Sequence, residues 1–122
     1  MKLPDNCPVE ATLSLIGGKY KALILWNLAS GTLRFSQLHK AISGATAKML
    51  TQQLRELESQ SLIRREVFPI IPPKVEYSLT ELGKSLLPIL VAMRDWGASY
   101  LRSNNLDPNC FMMGHNPITQ KN

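Results

Sequence analysis

Lys48, Gln52, Arg55 and Ser59 recur at intervals of three and four residues within ATAKMLTQQLRELESQ, so on a helix they share one side, with Thr51 beside them. Leu50, Leu54 and Leu57 fall at i, i+4 and i+7 of the same stretch and form an apolar stripe that must pack on a core. The solvent-facing side therefore carries an ammonium, a guanidinium, a carboxamide and hydroxyls. Those are the groups that contact phosphate oxygens and base edges in nucleic acid. Gln52 offers the adjacent donor and acceptor that match adenine, and Arg55 offers a fork for guanine or for phosphate. Thr46, Lys48 and Thr51 suit contacts that fix register on the backbone without reading sequence. An ordinary surface helix carries a solvated face of the same composition, so the neighbouring elements must decide between the two.

Those elements are legible. Thr46 is suited to cap the helix, because its hydroxyl can accept an orphan backbone N–H as the chain leaves the Ser43-Gly44 break. Upstream, Ser36 is read as the cap of a helix of about two turns whose inner face is Leu38, Ala41 and Ile42. The pair 36–42 and 46–60, joined by a tight glycine turn, fits helix-turn-helix geometry. Downstream, Val75, Tyr77 and Leu79 alternate with Lys74, Glu76 and Ser78, the period of a half-buried antiparallel strand whose partner is Leu62 to Phe68. Pro69, Pro72 and Pro73 cannot donate ladder bonds and belong at the hairpin tip.

Toward the N-terminus, Pro8 suits a first helical turn, and Val9, Thr12, Leu13 and Ile16 continue at helical spacing until Gly17-Gly18. Tyr20 to Leu28 is nearly continuously apolar and reads as a buried central helix, and Leu33-Arg34-Phe35 as a brief extended piece. Thr80 is placed to cap a final long helix whose apolar face, Leu82, Leu86, Ile89, Leu90, Met93, Trp96 and Tyr100, is wider than one small domain readily covers. That surplus implies a partner. Pro88 is expected to kink or divide this helix. From Ser103 onward the chain is polar and broken, a loose tail.

A chain of 122 residues, 44% hydrophobic, is long enough for one domain with a real core. Its charge of +5 is unevenly placed: residues 31–80 hold seven Lys/Arg against four Asp/Glu, while the flanks contribute +1 each. The longest apolar run, Leu86 to Met93, is far below the roughly 18 residues of a membrane span, and the N-terminus lacks the apolar core of a signal peptide. A soluble, cytoplasmic protein is expected, with its two cysteines reduced.

Cys7 lies just before the first helix, where backbone N–H groups and the helix dipole favour a thiolate, so it is a candidate redox or electrophile sensor. Its alternative is a small residue packed at an interface. Cys110 lies in the tail, and with His115 it forms a lone pair short of a zinc site's four ligands. His39 reads as a surface or groove-lining residue, Trp26 and Trp96 as core or interface. Gly17-Gly18-Lys19 lacks the upstream glycine and following Ser/Thr of a phosphate loop. No catalytic set, metal site or cofactor is indicated.

In order along the chain, CPVEATLSLIGGKYKALILWNL, LRFSQLHKAI, KMLTQQLRELE, LIRREV and PPKVEYSLTELG resemble the HxlR-type winged helix-turn-helix transcriptional regulators of bacteria and archaea, from Cys7 to Leu101. The fold expected is mainly α with a small β-hairpin, an α+β winged helix-turn-helix with N- and C-terminal dimerisation helices. Residues 1–102 would form the domain, with the recognition helix at about 46–60, the wing at about 62–79 and the C-terminal helices at about 80–102; 103–122 would be a flexible tail. The resemblance implies a homodimer whose recognition helices enter adjacent major grooves of a palindromic operator. Leu13, Leu86, Leu90, Met93, Trp96 and Tyr100 are the interface candidates. Arg34 and Ser36 join Thr46, Lys48, Thr51, Gln52 and Arg55 as DNA contacts. Because the tip Ile70-Ile71 is apolar, the wing contacts fall to Arg64, Arg65 and Lys74. Some members of the family are implied to sense oxidants or reactive carbonyls through a cysteine in the region of Cys7. The expected function is a transcriptional repressor, with a small-molecule or oxidant effector unidentified. Its competitors are a winged-helix protein–protein module that binds no duplex, and a thiol enzyme built on Cys7 and a histidine, which no oxyanion-stabilising motif accompanies.

Overall fold

The computed structural model describes residues 6–109. Its elements in chain order are α1 (Pro8–Ile16), α2 (Lys21–Leu28), β1 (Leu33–Arg34), α3 (Phe35–Ala41), α4 (Ala47–Ser59), β2 (Ile63–Phe68), β3 (Lys74–Leu79), α5 (Glu81–Lys84) and α6 (Leu87–Ser103). The near-continuous apolarity of α2 has a direct cause: it contacts α1, α3, α4, α6 and β3. Ile24, Leu25, Trp26 and Leu28 are all buried, and they share one core with Leu38 of α3, Leu50, Leu54 and Leu57 of α4, and Leu90 of α6.

The local signals mostly act as read. Pro8 occupies the first turn of α1, where a missing N–H costs nothing. The Gly17 N–H returns to the Leu13 carbonyl at 2.6 Å, and Gly18 takes φ +90°, a left-handed turn that glycine adopts without penalty. Thr46 caps α4 by accepting from the Met49 N–H at 3.1 Å. Between α3 and α4 the turn is held from both sides. The Tyr20 hydroxyl donates to the Gly44 carbonyl at 2.8 Å, and His39 Nε2 lies 3.0 Å from the Ala45 carbonyl oxygen. A carbonyl only accepts, so this Nε2 carries a hydrogen.

Four features differ from the sequence reading. The cap of α3 is Arg34, not Ser36: Arg34 is extended, its N–H is accepted by Gln37 Oε1 at 2.8 Å, and Ser36 already lies inside the first turn. The hairpin is one part of a three-stranded antiparallel sheet in the order β1-β3-β2, with Leu33 opposite Tyr77 and Arg34 opposite Glu76. The C-terminal helix is divided, and the break at Ser85-Leu86 precedes Pro88, which sits in the first turn of α6. Finally, Leu86 and Leu90, expected at a dimer interface, are buried in the protomer's own core, because the inward side of α6 packs on α2. Ile89, Met93, Trp96 and Tyr100 stay on the outer side. Cys110, His115 and most of the expected tail lie outside the described residues.

The sheet and the C-terminal helices are joined through Thr80. Its hydroxyl donates to the Ser61 carbonyl at 2.6 Å and accepts from the Gly83 N–H at 3.0 Å, drawing α5 against the chain that leaves α4. Gly83 is buried there, and a Cβ on it would overlap the Leu62 carbonyl oxygen. Backbone cannot swing aside as a flexible side chain can. Gly83→Ala is therefore expected to lower stability by about 2 kcal/mol or more, as overpacking does. An unchanged urea midpoint would contradict this close approach.

Candidate nucleic-acid interface

With Leu50, Leu54 and Leu57 buried, helical geometry turns Lys48, Gln52 and Arg55 outward, and all three are exposed. With Ala47 and Thr51 they border a shallow hollow of about 410 Å³ on the outer side of α4. A second cleft, about 330 Å³, lies between α4 and the wing and is lined by Thr51, Leu54, Arg55, Glu58, Arg65 and Tyr77. Arg55 borders both. Arg65 pairs across the hairpin with Tyr77, which orients it toward this cleft.

The remaining cations are placed differently. Successive strand residues face opposite sides of a sheet, so Arg64, Lys74 and Arg34 share the face that Arg65 does not. Arg34 and Arg64 are exposed. Lys74 is engaged: its Nζ lies 3.5 Å from Glu76 Oε2 and 4.5 Å from the centroid of the Phe68 ring. The wing therefore brings Arg65 to the helix and leaves Arg34, Arg64 and Lys74 on the far side of the sheet.

The hydroxyls also differ in what they have left to offer. Thr46 uses an oxygen lone pair for its cap, so its hydrogen remains available to a phosphate. The Thr51 hydroxyl donates to the Ala47 carbonyl at 2.8 Å and must rotate before it can donate outward. Ser36 is exposed in the first turn of α3.

Three contributors escape a reading by pattern. Tyr77 belongs to the apolar face of β3, yet it also lines the α4–wing cleft. His39 braces the helix-turn-helix turn rather than lining a groove. The third is an ion pair: Lys21 Nζ lies 2.7 Å from Glu56 Oε1, with Lys21 buried and Glu56 partly exposed on α4. Glu56 Oε2 in turn accepts from Gln52 Nε2 at 3.5 Å. The hydrogen bond from Lys21 holds the Glu56 carboxyl below its ordinary pKa, against the opposing effect of desolvation. A lysine inside the apolar run KALILWNL was the available signal for this pair.

Away from this surface, α1 and α6 enclose an apolar groove of about 350 Å³ lined by Pro8, Val9, Thr12, Leu13, Ile16, Ile89 and Met93. Trp96, 71% exposed, stacks on Tyr100 with ring centroids 5.5 Å apart. Cys7 is half-buried at the N-cap of α1 with a free thiol. Among the described residues no group of three or more His, Cys, Asp or Glu is arranged to hold a metal ion, and no helix is long and apolar enough to cross a membrane.

Residues 15–105 match the family model described as HxlR-like helix-turn-helix. The chain is 51% identical over 96 residues to the HTH-type transcriptional regulator YdeP of Bacillus subtilis, covering 79% of this chain and 75% of that protein. It is 54% identical over 94 residues to an HTH-type transcriptional regulator of Methanothermobacter thermautotrophicus, covering 77% and 72%. Among solved structures it resembles the redox regulator HypR in its oxidised form (TM-score 0.72, 48% identity, covering 76% of this chain and 96% of that one). The reduced form of HypR gives a TM-score of 0.74 at 47% identity, covering 76% and 92%.

The ion pair yields an asymmetric expectation. Glu56→Gln leaves a buried ammonium without its counter-charge, whereas Lys21→Met leaves a carboxylate that can be hydrated, so Glu56→Gln should cost more stability at neutral pH. Because the folded-state pKa of Glu56 is lowered, its contribution is complete above the usual carboxylate range and is lost as pH falls through the lowered value. Urea unfolding at neutral and acid pH tests both points: the gap between wild type and Glu56→Gln should narrow in acid.

Proposed function

Because the chain belongs to the HxlR-like helix-turn-helix family, whose members are transcriptional regulators rather than enzymes, we propose that it binds duplex DNA as a homodimer and represses transcription by occupying an operator. The observation that carries this reading is the exposed face of α4: Lys48, Gln52 and Arg55 project together, and Arg55 meets Arg65 across the α4–wing cleft. An ammonium and two guanidiniums suit phosphates and guanine, and the carboxamide suits adenine. Thr46, Thr51 and Ser36 serve the backbone, while Arg34, Arg64 and Lys74 serve it from the other side of the sheet. The domain, residues 1–102, acts as one DNA-binding unit in the cytoplasm.

Dimerisation is supported by apolar surface that the protomer leaves open. Val9, Leu13, Ile89, Met93, Trp96 and Tyr100 are exposed on α1 and α6, and the first four line one apolar groove, the kind of surface that marks an interaction site. A second copy laid on these helices would cover them and set two α4 helices about one DNA turn apart, the spacing a palindrome requires. Cys7 stands at the start of α1 on this side. Given the likeness to the redox regulator HypR, oxidation or alkylation of Cys7 would shift α1, rotate the paired DNA-reading units and release the operator.

Two measurements test the reading. In gel shifts over a range of salt, Arg55→Ala and Gln52→Ala should weaken binding to selected duplexes with loss of discrimination, while Lys48→Ala should weaken all duplexes and lower the salt slope by about one. Absence of any duplex binding would instead favour a protein–protein module. Cys7→Ser should bind DNA as the wild type does and ignore oxidant; equal operator release from both proteins would sink the sensor role.

A further inference from the structure

The buried ammonium of Lys21 sits on α2, the helix farthest inside the fold, yet its partner Glu56 stands on the helix proposed to read DNA, one turn beyond Gln52. Lys21 is 5% exposed and is the buried charged residue among those described. Burying a lysine is costly unless a counter-charge and good geometry offset it. Here the two oxygens of Glu56 are divided: Oε1 takes Lys21 Nζ at 2.7 Å, and Oε2 takes Gln52 Nε2 at 3.5 Å. A chain of donors and acceptors thus runs from the core to the outer face of α4.

We propose that Lys21 and Glu56 are positioning residues for base recognition, holding the Gln52 carboxamide in the one orientation that presents a donor and an acceptor outward together. This rests on the reading of Gln52 as a base contact. The hydrogen count supports it. The carboxamide has two N–H hydrogens; Glu56 engages one, leaving one N–H and the carbonyl oxygen for adenine N7 and the adenine amino group. A carboxylate can only accept from the Gln52 nitrogen, so the flipped amide, with its oxygen toward Glu56, is disfavoured. The pair is thereby a determinant of sequence preference without touching DNA.

The test uses the full-length protein and duplexes selected in vitro from a randomised library, scored for preference at each base position and for affinity to random-sequence duplex. Gln52→Ala should lose about tenfold of preference at one position, the scale of a bidentate base contact. Glu56→Ala and Lys21→Met should each lose several-fold at that same position, with affinity for random duplex unchanged. In the Gln52→Ala background neither should lose more. If Glu56→Ala does not fold, Lys21→Met decides, because it places an apolar side chain of similar length in a buried site. If Gln52→Ala leaves every preference intact, the base-reading role of Gln52 fails. If Gln52→Ala loses the preference while both pair variants keep it, or if they weaken all duplexes equally, the positioning role fails and the base contact stands.

Discussion

Leu50, Leu54 and Leu57 lock one side of α4 onto α2, and the rest of the molecule follows from that contact. A helix with three buried leucines at this spacing has no rotational freedom about its axis, so its outer residues are fixed by elimination. Three fully buried leucines also contribute on the order of 5–9 kcal/mol of gross transfer free energy, much more than any surface ion pair supplies. The outer face of α4 can therefore be polar throughout without loss of the helix. Tyr20 and His39 then hold the entry to α4 by its turn carbonyls, so its tilt is set as well as its rotation.

Charge is distributed in keeping with that arrangement. Arg55 and Arg65 meet at the α4–wing cleft, whereas Arg34, Arg64 and Lys74 occupy the opposite face of the sheet, with Lys74 held by Glu76 and Phe68. The wing thus presents cations on both of its faces. Were the wing to lie along a duplex as proposed, the phosphates on either side of it would each meet cations.

Much of this was legible because it rests on local chemistry. The Thr46 cap, the leucine stripe, the prolines of the hairpin and the glycine turn after α1 each announce themselves within a few residues. What escaped depends on residues far apart in the chain. The brief extended piece at Leu33-Arg34 was readable, but its partner was not: pairing with β3 makes it the third strand of the sheet. Arg34 displaces Ser36 as the cap because Gln37 turns back to its N–H. Leu86 and Leu90 looked like surplus apolar surface until α2 proved to lie beneath them, which leaves the outer side of α6 to Met93, Trp96 and Tyr100. The Lys21–Glu56 pair joins two helices with no common sequence pattern. At the candidate site, the face of α4 was readable from periodicity, and the meeting of Arg55 with Arg65 and Tyr77 was not.

The pairing of β1 with β3 bears on how the molecule assembles. The strand before α3 and the strand after the wing tip are hydrogen-bonded neighbours, so α3, α4 and β2 all lie within the loop that this pairing closes. Closing so long a loop is entropically slow and is rewarded only once the enclosed helices have collapsed onto α2. The helix-turn-helix and its wing should therefore become native in a single cooperative step. A nascent chain that has emerged only as far as α4 cannot display a working half of the surface, since the strand that anchors its entry has yet to be made.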